Sequence, residues 1–425
     1  MRSKSFWSAA GCILAALGLL PIFSSAAPPA ATEKILHTFT GGNDGIGPES
    51  DLIFDAAGNL YGTTSYGGGP CKYQGAEYDG CGTVFEFTRS GDNWTEQILH
   101  SFKGVDGGFP VGGLIFDHAG NLYGTTYGFQ YDEGECGNVF ELSPNLRVNN
   151  GWAERTLYSF TCGDDGGFPT TDLAFDAQGD LFGMTSSTVF ELLPQPDGSW
   201  KEVTIHHFAG SPDGAVPSAF LLEAAGDIYG TTMSGGTGKC EYNYKTPGCG
   251  IVFRLTSNPR GTWTESVLYN FARGGGFGVN PSGGLLADNA NRTVGTTAAG
   301  GDGPGTVFEL TRTQTGLRQN VAYRFYGNRD GYVPVGKIVI IGDALFGVTR
   351  EGGSSTGYGT VFTLQRTAGS GWREQLLYSF ASGSDGSYPL AGVISDAQGN
   401  LYGTTFYGGA GSCSEGCGTL YEITP

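Results

Sequence analysis

The stretch GLIFDHAGNLYGTT, Gly113 to Thr126, decides the fold when it is read with TEQILHSF before it (Thr95 to Phe102) and NVFEL after it (Asn138 to Leu142). It contains four strand-like runs: Gly113 to Asp117, Asn121 to Thr126, Asn138 to Leu142 and Trp152 to Phe160. The first two are joined by His118-Ala119-Gly120 in a D-x-x-G-N word. Asp, Gly and Asn there supply the side-chain turn bonds and left-handed backbone angles that a tight hairpin needs.

The same order of words recurs along the chain. Strand-ending phenylalanines mark it at Phe39, Phe102, Phe160, Phe208, Phe271, Phe325 and Phe380. Each is followed by a proline: Pro48, Pro110, Pro169, Pro217, Pro281, Pro334 and Pro389. A period of 48 to 63 residues made of short strands means a propeller or an array. Four antiparallel strands per repeat make one blade, so the expected fold is all-β, a seven-bladed β-propeller over residues 33–425. The chain enters with a lone fourth-type strand, Glu33 to Phe39, and ends on a third-type strand, Gly418 to Ile423. The N-terminal strand is therefore expected to close the last blade and leave no open edge. An open β-solenoid is the alternative, but its rungs are shorter and more uniform.

Composition agrees. Glycine is 75 of 425 residues, aromatics are 13% and charged residues 15%, as expected of Gly-rich turns between aromatic and β-branched strands. Trp94, Trp152, Trp200, Trp263 and Trp372 all close the polar loop before a fourth strand, a regularity that speaks for packing.

The N-terminus is read separately. Arg2 and Lys4 precede an apolar run from Phe6 to Phe23, and Ser24-Ser25-Ala26 is a small-residue cleavage site. Residues 1–26 are expected to be a secretory signal peptide and 27–32 a short linker, with an uncleaved membrane anchor as the alternative. No transmembrane segment is expected after cleavage. The formal net charge is −18, and loss of Arg2 and Lys4 makes it two units more negative. Such a surface repels phosphate backbones and argues against a nucleic-acid partner.

Eight cysteines follow the leader. Cys71-Cys81, Cys240-Cys249 and Cys413-Cys417 each bracket one loop. Cys136 lacks a loop partner and is matched with Cys162, which an antiparallel hairpin places beside it. Four bridges suit an oxidising compartment, secreted, periplasmic or at the outer cell surface. Zinc is the alternative, but no recurrent C-x-x-C pair supports it.

At DAAGNLYGTT (Asp55 to Thr64), GTVFEF (Gly82 to Phe87) and DAQGNLYGTT (Asp396 to Thr405) the chain resembles the GloVer tandem-repeat family, secreted bacterial proteins named for Gloeobacter and Verrucomicrobia. The resemblance covers about residue 33 to 425. It implies export, often with surface association through a C-terminal anchor, and no particular chemistry. This chain ends at Pro425 without such an anchor, so a freely secreted or periplasmic form is expected. The D-x-x-G-N-L-Y pair is also similar to NHL-type propeller repeats, which mostly bind other molecules.

Candidate site residues are sought on the loop face. Asp44, Asp106, Asp165, Asp213, Asp330 and Asp385 stand in Asp-Gly-type loops entering six blades, and the fifth blade has Gly275-Gly276 and Asn280 instead. A carboxylate ring at a channel mouth would suit Ca²⁺. The favoured reading is a turn in which each carboxylate caps local N–H groups, with no metal or cofactor. The same face should carry Tyr73, Tyr78, Tyr131, Tyr242, Tyr244 and Tyr407, with Tyr66, Tyr127, Phe129 and Phe406, a set of platforms suited to a sugar or peptide. The short Thr185 to Thr188 loop of the third blade should leave a notch.

His37, His100 and His206 share a position with Tyr158, Tyr269, Tyr323 and Tyr378, two residues before the marker phenylalanine. A place that takes either ring is a packing slot with a polar tip. The threonine pairs of LYGTT are expected to bond across blades. No H-E-x-x-H, G-x-S-x-G or Walker pattern occurs. The expected function is a secreted, monomeric binding or scaffold propeller that recognises a glycan or an extracellular protein without catalysis. The alternatives are a carbohydrate-active hydrolase or lyase, which needs two carboxyl groups about 5 to 9.5 Å apart, and a structural envelope component.

Overall fold

The structure, a computed structural model, describes residues 31–425 except 74–75, 79, 130–134, 149, 241–246, 260, 275, 290–291, 301–302, 314–315, 328, 354–356, 368 and 370. The leader and most of the linker read from the sequence lie outside the described residues.

Seven antiparallel sheets form the blades, five of them four-stranded and two in which the innermost strand is split into two segments. In blade 2 the strands are Ile115–Phe116, Leu122–Thr126, Asn138–Pro144 and Trp152–Ser159, from the channel outward. The expected first strand, Gly113 to Asp117, is shortened at both ends. Gly113 turns its N–H to the Asp172 carboxylate (2.7 Å) and not to the second strand. The ring closes as the chain order requires: Thr32–Thr38 is the outermost strand of blade 7 and pairs antiparallel with Thr419–Thr424.

The repeat words have packing reasons. Each marker phenylalanine meets an aromatic ring on the third strand of the following blade. Phe39 lies 5.5 Å from Phe85, Phe102 5.1 Å from Phe140, and Phe380 5.1 Å from Tyr421, between centroids. Seven buried clusters of this kind fill the seven blade junctions. Burying one such ring contributes about 2–3 kcal/mol. The five tryptophans pack at the edges of these clusters.

The glycine of LYGTT is where the third-strand ring of its own blade lands. A Cβ on Gly124 would lie 2.6 Å from Phe140 Cζ. The glycine opening the third strand answers a different demand. Gly137 has φ +84°, and a Cβ there would lie 2.2 Å from the Thr126 carbonyl oxygen and 2.7 Å from Pro169 Cδ of the next blade.

The D-x-x-G-N-L-Y word is one hydrogen-bonded unit. Asp117 accepts from the Ala119 and Asn121 N–H groups, the Asn121 amide and the Tyr123 hydroxyl. All four expected cystine pairs are present, with Cα atoms 5.0–5.6 Å apart, within normal disulfide range.

The LYGTT hydroxyls depart from the expectation of bonds across blades. The second threonine bonds within its own blade to the residue that opens the third strand, as Thr64 to Thr83 (2.8 Å) and Thr405 to Thr419 (2.8 Å). Thr63, the first of its pair, does cross, donating to the Pro110 carbonyl at 3.1 Å. Strand alternation explains the split, because successive residues face opposite sides of the sheet.

Candidate functional site

The prolines set the geometry of the channel. The residue before each is held in the left-handed region: Gly47, Phe109, Phe168, Val216, Asn280, Val333 and Tyr388, with φ of 56–66°. A non-glycine residue there costs about 1–2 kcal/mol. An interblade bond compensates: the Phe109 N–H donates to the Cys81 carbonyl (2.8 Å), and Phe168 to Cys136 (2.7 Å). This turn sends the next residues down the channel wall, where every second side chain faces the axis.

The wall therefore has layers. Glu49, Val111, Thr170, Ser218, Ser282 and Leu390 line the level beneath the loops. Two residues further come Asp51, Gly113, Asp172, Phe220, Gly284 and Lys337, and beyond them apolar residues such as Ile53, Ile115, Leu286 and Val339.

At the middle level Lys337 of blade 6 pairs with Asp172 of blade 3 and stands 3.7 Å from Asp51 of blade 1. The remaining carboxylate oxygens accept backbone N–H groups of other blades, Asp51 from Gly392 and Asp172 from Gly113, both at 2.7 Å. One ammonium thus ties five blades at the waist. Asp172, and after it Asp51, holds the Lys337 ammonium above its usual range. Burial pushes the Asp51 carboxyl up, against the pull of Lys337. A lysine kept protonated in this way is a charge and a donor, and does not serve as a nucleophile.

Above the waist the mouth opens as a cavity of about 660 Å³. Tyr66, Phe109, Tyr127 and Phe129 form one wall, and Glu49, Ser65, Thr170 and Leu390 complete it. The aromatic wall is continuous, with Tyr66 5.3 Å from Phe109 and Phe109 5.0 Å from Phe129. Tyr66 is 42% exposed. Burial pushes the Glu49 carboxyl up, while the Ser65 hydroxyl donates to it and partly offsets this. Cavities of about 400 and 560 Å³ continue along the channel at the waist.

The six loop aspartates lie elsewhere, at the blade junctions. Each meets the ring two residues before the marker phenylalanine of the blade it leaves: His37–Asp44 at 3.1 Å, His100–Asp106 at 3.0 Å, Tyr158–Asp165 at 2.9 Å, His206–Asp213 at 3.4 Å, Tyr323–Asp330 at 3.1 Å, and Tyr378–Asp385. The carboxylates also cap loop N–H groups, as Asp165 does for Thr161 at 2.9 Å. A glutamate of the following blade completes each junction. In three of them His37/Asp44/Glu96, His100/Asp106/Glu154 and His206/Asp213/Glu265 place ligand-type atoms within 4.8 Å of one another.

Of the expected aromatics, Tyr66, Tyr127 and Phe129 line the mouth. Tyr407 packs on Phe406 (4.7 Å) and Tyr388 (5.9 Å). Tyr73 and Tyr78 lie on a short hairpin in the first bracketed loop, Cys71–Tyr73 with Ala76–Tyr78. Tyr131, Tyr242 and Tyr244 lie outside the described residues.

Sequence reasoning missed Glu49, Asp51, Asp172 and Lys337. The signal was present. Three residues after each marker proline stand Asp51, Gly113, Asp172, Phe220, Gly284, Lys337 and Gly392, so charge enters that position in three repeats.

Among the described residues no helix is long and apolar enough to cross a membrane. Many solved structures share the fold. A streptogramin B lyase is 12% identical, with 93% of this chain and 98% of that one covered at a TM-score of 0.52. A virginiamycin B lyase from Staphylococcus aureus is 13% identical, covering 93% and 99% at 0.51. A putative 6-phosphogluconolactonase from Bacteroides uniformis is 15% identical, covering 75% and 84% at 0.50. At these identities the likeness is one of fold alone. No curated protein matches the chain in sequence. The model of the Gloeobacter/Verrucomicrobia repeat matches residues 22–189 and 241–425. With its repeat words accounted for blade by blade, the chain belongs to the Gloeobacter/Verrucomicrobia repeat family.

Proposed function

We propose that this protein is an exported binding propeller that takes a glycan at the channel mouth of its loop face and performs no chemistry on it. The observation that carries the reading is the mouth cavity, with a wall of Tyr66, Phe109, Tyr127 and Phe129 facing Glu49 and Thr170. Sugar rings stack their C–H faces on such rings, and their hydroxyls pair with a few fixed polar groups. Glu49, which accepts the Ser65 hydroxyl, presents a carboxyl group to a hydroxyl-rich ligand. Cystines beside these loops hold the rim and suit an oxidising compartment.

Cleavage of the ligand would need two available carboxyl groups. Asp51 and Asp172 are engaged by Lys337 and by backbone N–H groups, which leaves Glu49 alone among the described mouth residues. The test is a glycan array probed with the oxidised protein and with Tyr66→Ala and Glu49→Gln. Selective binding that both substitutions weaken is expected. Binding that survives both, or release of product from a bound polymer, would overturn the reading. Silence on the array would turn attention to a protein ligand.

A further inference from the structure

The junction glutamates form a pattern of their own. Six residues before each marker phenylalanine the chain carries a glutamate in six repeats and Gln319 in the seventh. Each side chain faces the His/Tyr–Asp pair of the preceding blade. Between blades 7 and 1, Glu96 Oε2 lies 3.7 Å from His37 Nε2, which contacts Asp44 at 3.1 Å.

The exception is informative. The loop entering blade 5 has no aspartate, and there the glutamate is replaced by Gln319, whose Oε1 accepts the Tyr269 hydroxyl at 2.8 Å. Where the first carboxyl is absent, so is the second. Two carboxylates forced together cannot both ionise, and one proton between them turns repulsion into a strong hydrogen bond. A metal is not what these pairs are built for, because at three junctions a tyrosine stands in the imidazole's place beside the aspartate, with Glu202, Glu374 or Glu33 facing it.

We infer that at six blade junctions an aspartate and a glutamate from adjoining blades hold one proton between them, and that this proton makes the ring tighten in mildly acidic surroundings and loosen at its junctions as pH rises. Electrostatics supports the geometry. Burial, then the facing Asp385, Asp213 and Asp330, pushes Glu33, Glu265 and Glu374 to about 7. Burial and Asp44 push Glu96 to about 10. Burial works against ionising Asp44, but bonds from His37, Glu96 and Thr40 outweigh it and hold its carboxyl low.

The groups facing each tested glutamate are few. Glu96 meets His37 and Asp44, and Glu265 meets His206 and Asp213. Glu374 meets Asp330 and Tyr323, and Glu33 meets Asp385, Tyr378 and Tyr421. A carboxyl raised in the folded chain keeps a proton that the unfolded chain has lost. Its contribution is therefore intact below the unfolded value of 4.5 and is lost as pH rises through the folded value. The window runs from 4.5 to about 7 for three junctions and on to about 10 for Glu96.

The test is urea unfolding of the oxidised full chain between pH 5 and 8, with native-state hydrogen exchange of the junction strands, corrected for intrinsic rates, as a second readout. The urea midpoint should fall across this range, and fourth-strand amides should lose protection before second-strand amides. The variant Glu33→Gln/Glu265→Gln/Glu374→Gln keeps a donor for each aspartate and should flatten the fall. A flat or rising wild-type profile would overturn the inference. So would an unchanged slope in the triple variant, or uptake of three Zn²⁺ per chain that is lost in His37→Phe/His100→Phe/His206→Phe.

Discussion

Lys337 on the inner strand of blade 6 lays its ammonium against Asp172 of blade 3, across the channel and not along the ring. With Asp51 also within 3.7 Å, three charges that would repel or be poorly solvated singly make one polar waist. Removing the cation should leave two carboxylates facing each other. Lys337→Met is expected to cost about 1–3 kcal/mol, below the range for fully buried pairs because the lysine side chain is 49% exposed to the channel. Adding Asp172→Asn should recover part of that loss. Urea midpoints of the single and double variants check it.

The contact between Gly124 and Phe140 predicts a size limit. Gly124→Ala places a methyl 2.6 Å from the Phe140 ring and should destabilise by about 1–3 kcal/mol. Phe140→Leu in the same chain should cost less than the sum of the two single changes, since the smaller side chain makes room. A double-mutant cycle in thermal unfolding measures that coupling.

The four cystines should differ in worth. Cys136–Cys162 spans 26 residues of sequence separation and Cys413–Cys417 only 4, so chain entropy favours the former by about 1.5 kcal/mol. Replacing each pair by serines and comparing unfolding midpoints under the same conditions tests the order.

Tyr66 is the most exposed of the mouth aromatics that carry the proposed function, and its removal should separate binding from folding. Tyr66→Ala is expected to leave the thermal midpoint within a few degrees. It should weaken a bound oligosaccharide about tenfold, the scale of one lost stacking platform. Titration calorimetry with the array hit gives the number.

Acid should act on the turns with the opposite sign. Burial opposes ionisation of Asp117, but bonds from Asn121, Ala119 and Tyr123 prevail and hold its carboxyl low. That stability is present above the ordinary value of 3.8 and lost as pH falls below it. Asp117→Asn should remove part of the acid limb of the stability profile below pH 4 and leave the alkaline limb unchanged.

The turns and the cores were legible because their causes are local or repeated. Asp117 reaches Asn121 and Tyr123 within six residues, so the word itself contains the bonds. Phe102 and Phe140 recur at fixed places in each repeat, and stacking identical units makes the contact between neighbours predictable. The cystine pairs followed for the same reason, three from bracketing one loop and Cys136–Cys162 from hairpin geometry.

The mouth and the junctions were less legible. Tyr66 and Tyr127 were placed on the right face, but nothing in their spacing told which aromatics would line one cavity. Asp44 was seen beside its glycine, and His37 beside its phenylalanine, yet their bond depends on how the loop folds back over the strand. The partner Glu96 comes from the next blade.

By itself, then, the sequence determined the blade, the number of blades and the closing strand, because period-2 strands, tight turns and repeated rings are short-range matters of sterics and burial. Only the tertiary structure decided where charge meets charge. Asp51, Asp172 and Lys337 are far apart along the chain and share no repeat neighbour. They meet because seven blades arranged around one axis bring their innermost strands together at a single polar waist.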